Sequence, residues 1–82
     1  MDISKKHGYR IFDNQLAEFK KGYPIFKTSA EAYEWYGPLL YEQCLDGNCG
    51  YDECSIEEII VDLSGKTNKD LFEMFGYSVV KV

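Results

Sequence analysis

Three helix-start signatures punctuate this chain, and they constrain its fold more than any other feature. Thr28-Ser29-Ala30-Glu31 and Ser55-Ile56-Glu57-Glu58 each place a hydroxyl three residues ahead of a carboxylate. This is the capping-box pattern, in which the two side chains satisfy backbone N–H groups at a helix N-terminus. Thr67-Asn68-Lys69-Asp70 repeats the spacing with an aspartate. In the first predicted helix, Tyr33, Tyr36, Leu40 and Cys44 fall on one arc at 100° per residue, with Glu31, Glu34 and Glu42 opposite. Gly37-Pro38 interrupts it, so the helix kinks there or restarts with Pro38 in a new first turn. In the second, Ile56, Ile59, Ile60 and Leu63 follow the i, i+3, i+4, i+7 rule and Gly65 is a stop. A strand over 57–63 is the rival, because Ile-Ile-Val is β-prone, but the cap and the period favour helix. The third carries Leu71, Phe72 and Phe75 and ends at Gly76.

The flanks read as extended. Gly8 to Phe12 alternates, with Tyr9 and Ile11 on one face and Arg10 and Phe12 on the other. Asp13-Asn14 and Lys20-Lys21-Gly22 are turn signals, and Tyr23-Pro24-Ile25-Phe26 suits a short edge strand. Tyr77 to Val82 reads as a terminal strand. The expected fold is a small single α+β domain over 1–82. An N-terminal β-hairpin and the C-terminal strand form one antiparallel sheet, packed on two or three short helices, and residues 1–7 are flexible. At 82 residues the chain can bury only about 60% of its unfolded surface, so its core must be dense in large side chains. Seven Tyr, five Phe and one Trp supply them. A tyrosine hydroxyl needs a partner, so several tyrosines are expected half exposed, either as plain core edges or as part of a binding face.

Charge is distributed unevenly. Thr28 to Gly65 holds nine carboxylates and no Lys or Arg, while the flanks are weakly basic, and the net charge is −5. Like charges at this density repel and cost stability, and small domains ordinarily intersperse lysines among them. The plain reading is a solvated acidic face. The functional reading is a surface that imitates a phosphate backbone and engages Lys/Arg grooves built for nucleic acid. Glu31, Glu34, Glu42, Asp46, Asp52, Glu53, Glu58 and Asp62 would supply charge, and Trp35, Tyr36 and Tyr51 aromatic anchors. The expectation is a non-enzymatic small acidic protein that docks on a basic, nucleic-acid-binding protein and blocks it, as a phage or mobile-element inhibitor of a host defence nuclease would. Direct nucleic-acid binding by the acidic centre is disfavoured, although Lys5, Lys6, Arg10, Lys20, Lys21 and Lys27 could form a small basic patch.

Other chemistries find little support. The lone histidine, His7, sits beside two lysines with no evident nucleophile or base partner. Gly65-Lys66-Thr67 lacks the upstream glycine of a phosphate loop, since position 60 is Ile. Cys44, Cys49 and Cys54 stand at the wide limit of structural zinc spacing and number three, not four. A cysteine-centred redox or zinc module is the alternative expectation, with Cys44 in the core and Cys49 exposed. Asp46, Asn48, Gly50, Asp52 and Glu57 loosely follow a calcium-loop spacing, but Tyr51 occupies the position that needs glycine. No metal or cofactor is therefore expected. No apolar run exceeds four residues and no secretory signal is evident, and an odd cysteine count argues against a disulfide framework. These features predict a cytoplasmic protein with no membrane partner. The C-terminal strand could pair edge to edge in a homodimer.

Overall fold

A computed structural model describes residues 8–82. The stretch expected to be flexible, 1–7, lies outside the described residues, and His7, Lys5 and Lys6 with it. Strand β1 (Tyr9–Asp13) and the short β2 (Glu18–Phe19) are followed by helices α1 (Ser29–Leu45), α2 (Ile56–Leu63) and α3 (Asn68–Phe75), then strand β3 (Tyr77–Lys81). The sheet is antiparallel throughout, in the order β2-β1-β3. This is the small α+β domain that the patterning predicts.

The hairpin closes earlier than the Tyr23–Phe26 edge strand would require. Asp13 is buried, and its Oδ1 accepts the backbone N–H groups of Gln15 at 2.9 Å and Leu16 at 3.1 Å. A carboxylate that turns the backbone immediately after its own residue ends the strand there. Ala17 completes the reversal at φ 57°, and β2 starts one residue later. Tyr23–Phe26 is reduced to a single bridge, with Phe26 opposite Tyr9. Register with β3 pairs Ile11 with Val79 and Asp13 with Tyr77. Ile11 is buried on the helix-covered side. On the alternate positions, Phe12 meets Phe19 edge-on at 5.1 Å, and the Arg10 guanidinium lies 4.5 Å from the Phe19 centroid.

All three caps form. Thr28, Ser55 and Thr67 accept from the N–H three residues on, and Glu58 and Asp70 reach back to complete full capping boxes. Glu31 instead accepts from Lys27 N–H at 3.0 Å, one residue further out. Helix α1 neither restarts nor ends at Gly37-Pro38 but runs through both as one element of 17 residues. Gly37 is buried there because α3 begins against it. A Cβ at this position would stand 2.8 Å from the Asn68 Cβ and closer still to its amide. The α2 segment is helix, as the cap and the period indicate. Gly76 ends α3 in the left-handed conformation, φ 80°, and turns the chain into β3.

The core is continuous: Ile11, Phe26, Ala32, Leu40, Cys44, Ile59, Leu63, Leu71 and Phe72. Around Phe72 the aromatic rings interlock, with Tyr33 at 4.8 Å, Tyr36 at 5.8 Å and Tyr77 at 6.5 Å. Helix α1 contacts the sheet, α3 and α2. Among the described elements α2 touches only α1. The C-terminal end of α1, the 46–54 loop and α2 therefore form an arm attached to a body of sheet, α3 and the first half of α1. No described helix is long and apolar enough to cross a membrane.

Candidate functional site

Most of the lysine-free segment lies along the arm and the outer face of α1. Glu31, Trp35, Leu39 and Glu42 follow one ridge of that helix at spacings of three or four, with Glu34 beside them, and all five are exposed. Trp35 is fixed as well as exposed. It stacks on Tyr36 at 5.9 Å and meets Tyr23 at 5.2 Å and Phe26 at 5.5 Å, so its ring is held while 43% of its surface stays open. Tyr36 is turned inward. Its hydroxyl lies 3.3 Å from that of Tyr23, and burial and the two tyrosine neighbours, Tyr23 and Tyr77, push its ionisation well above the ordinary phenol range. It supports Trp35 rather than offering an open anchor of its own.

On α2 the wheel separates three kinds of face. Ile59 and Leu63 are buried in the core. Glu58 and Asp62 lie on one flank of that pair. The remaining surface holds Ile56, Ile60 and Val61 with Glu57 among them, and the three apolar residues are 58%, 43% and 72% exposed. Five of the eight α2 residues are thus apolar, and only two are used by this fold. Full burial of each of the other three would be worth about 1.5–3 kcal/mol. The space beside α2, about 420 Å³, has only Glu57, Glu58, Val61 and Asp62 for walls. One helix face cannot enclose a small molecule, so this space is open surface and not a closed pocket.

Individual carboxylates differ in their structural employment. Glu31, Glu57 and Glu58 stand in first turns, where the helix dipole favours negative charge. Glu42 in the last turn of α1, Asp46 at its C-cap and Asp62 in the last turn of α2 stand at the opposite ends. No basic residue is present in either last turn. Each placement there costs about 0.3–1 kcal/mol. Asp62 recovers something by accepting a hydrogen bond from the Tyr51 hydroxyl, which ties the loop to α2. That bond pushes the Tyr51 phenol up to about 12. Among the described residues, no side-chain hydrogen bond engages Glu34, Glu42, Asp52 or Glu53.

The cysteines stay free: Cys44 is buried, Cys49 and Cys54 exposed. Burial pushes the Cys44 thiol up, with Cys49 and Asp62 adding to the effect, so it is a packing group rather than a ready thiolate. Cys49 sits in the left-handed region, φ 60°, and donates to the Met74 carbonyl at 3.3 Å. Among the described residues, no three side chains of His, Cys, Asp or Glu converge as a metal-binding group. Asp46 caps α1, and Asp46, Asn48, Gly50, Asp52 and Glu57 form no ligand set. Of the described bases, Arg10 lies on Phe19 and Lys20 lies 5.6 and 5.3 Å from the Tyr23 and Tyr77 rings.

A second concavity, about 330 Å³, lies between α1 and the α3–β3 corner, lined by Tyr36, Leu39, Leu40, Gln43, Phe75 and Tyr77. Sequence reasoning had no means to see it, because its walls come from distant segments. Leu39 and Ile60 were equally hidden as surface residues. A signal was available for Val61, which lies off the Ile56-Ile59-Ile60-Leu63 stripe, but Ile56 and Ile60 fit that stripe and are exposed all the same. Comparison with protein-family models, curated proteins and solved structures finds no match for this chain.

Proposed function

We propose that this protein is a non-enzymatic binding protein whose acidic surface docks on a basic, nucleic-acid-binding protein and blocks it. The observation that carries the reading is the placement of Glu42 and Asp46. Both stand at the negative end of α1, with no base in its last turn. A fold selected for stability alone would put lysine there. Glu34, Asp52 and Glu53 add charge without structural employment, and Trp35 and Leu39 supply fixed apolar surface between the carboxylates of α1. Such a surface presents spaced negative charge to guanidinium and ammonium groups, as a phosphate backbone does. The charge suits an inhibitor of a host defence nuclease, encoded by a phage or mobile element.

The test is capture by the immobilised full chain from a lysate of its source cells at low salt, beside a variant carrying Glu34→Lys, Glu42→Lys and Glu53→Lys. The expected result is a basic protein held by the native chain, released by salt, lost in the variant and displaced by nucleic acid. Capture that ignores both salt and the lysine substitutions overturns the reading.

A further inference from the structure

Helix α2 buries only Ile59 and Leu63, yet it carries Ile56, Ile60 and Val61 on its open surface, with Glu57 among them and Glu58 and Asp62 on the flank. We propose that this face is the specificity anchor of the binding surface. It takes a cationic amphipathic segment of the partner, with an apolar side chain of that segment seated against Ile60 and Val61 and its Lys or Arg residues paired with Glu57, Glu58 and Asp62. The proposal rests on the reading above and sharpens it. A partner groove shaped only for nucleic acid would use the carboxylates and leave the apolar residues in water.

Charge decides between occupants. A second copy of this chain laid on the same face would gather two sets of Glu57, Glu58 and Asp62 in one interface with no base of α2 to offset them, and like charges oppose that contact. An anionic lipid surface is repelled by the same three groups. A segment that alternates apolar and basic faces satisfies both parts of α2, in the manner of a helix laid on an apolar groove. Rigidity supports the site. The capping box at Ser55 and Glu58 fixes the start of α2, and the Tyr51–Asp62 bond fixes its end against the loop. Two exposed residues, Ile60 and Val61, can therefore be changed without touching the core.

The experiment titrates the full chain with two probes of equal charge at moderate salt: a synthetic helical peptide of leucine and lysine, and polylysine. The native chain is compared with Ile60→Gln/Val61→Gln, and helix content is checked by circular dichroism. The expected result is a leucine–lysine peptide bound about tenfold more tightly than polylysine, with that advantage removed by the double substitution and polylysine affinity unchanged. Equal affinity for both probes, with no effect of the double substitution, overturns the α2 anchor and leaves the acidic-surface reading standing. Failure to bind either probe, or binding indifferent to salt, overturns both. A native dimer that the double substitution dissolves overturns the proposal by showing that a second copy covers this face.

Discussion

The body and the arm solve opposite problems with the same small set of residues. In the body, aromatic rings interlock around Phe72, and cations lie on ring faces: Arg10 on Phe19, Lys20 beside Tyr23 and Tyr77. The aromatic rings and these two cations satisfy one another there, although Leu16 and Ile25 on the hairpin loops stay exposed. In the arm, three of five apolar residues on α2 face solvent, and Glu42, Asp46 and Asp62 stand where the helix dipole disfavours them. A fold can hold such an arrangement only if the body is stable enough to carry it. Surplus stability in one region is what permits an unsatisfied surface in another.

Deleting the centre of the body should have the largest effect. Phe72→Ala is expected to lose about 3–5 kcal/mol and unfold the molecule globally, as read by denaturant titration. Ile59 is as deeply buried, but its truncation should act differently. Ile59→Ala is expected to cost about 2–5 kcal/mol, to open α2 in hydrogen exchange and to leave the β1–β3 amides protected. If both variants lose protection everywhere together, body and arm are one cooperative unit and the division fails. Gly37→Ala should cost about 1–3 kcal/mol despite the helix preference for alanine, because its Cβ would crowd Asn68 at the α1–α3 contact. An accompanying Asn68→Gly should recover part of that loss, and additive costs would show that the crowding is not the cause.

Two smaller effects sharpen the contrast. The Tyr51 phenol is raised from 10.0 to about 12 by its bond to Asp62, so its protonated form is favoured in the folded protein. Stability from that bond is fully present below pH 10.0 and is lost as pH rises through about 12. The phenolate absorbance of the native chain minus that of Tyr51→Phe should titrate near the upper value and move toward the lower in Asp62→Ala. In the body, Ala17 holds φ 57° without glycine. Ala17→Gly should relieve that strain and stabilise by about 0.5–1 kcal/mol, a gain measurable by thermal unfolding.

Much of this is legible in the sequence. Hydroxyl–carboxylate spacing located the three helix starts, because capping is a local interaction between residues three apart. Alternation located β1 and its buried face. The hairpin partner was not legible, since β2 is two residues long and its position depends on how Asp13 turns the backbone. Nor was the role of Gly37, since the close approach that excludes a side chain there comes from Asn68, a residue far along the chain. The site followed the same division. Sequence could mark Glu34 or Glu42 as unneutralised, because nearby charge is visible in the chain. It could not tell that Ile56 and Ile60 face water, since their spacing also fits a buried stripe and only the docking angle of α2 decides. Nor could it separate Tyr36, committed to the Phe72 cluster, from Trp35, held open beside it.

Thermal unfolding of the native chain and of Glu42→Lys/Asp46→Lys, each with and without polylysine, tests the central claim most directly. Both substitutions place a favourable charge at the end of α1, so the variant should start higher by the equivalent of about 0.5–2 kcal/mol. Polylysine should raise the unfolding temperature of the native chain and raise that of the variant less, because a ligand stabilises only the state that binds it. A variant that unfolds at a lower temperature than the native chain, or equal shifts with polylysine, would show that these carboxylates serve the fold and not a partner.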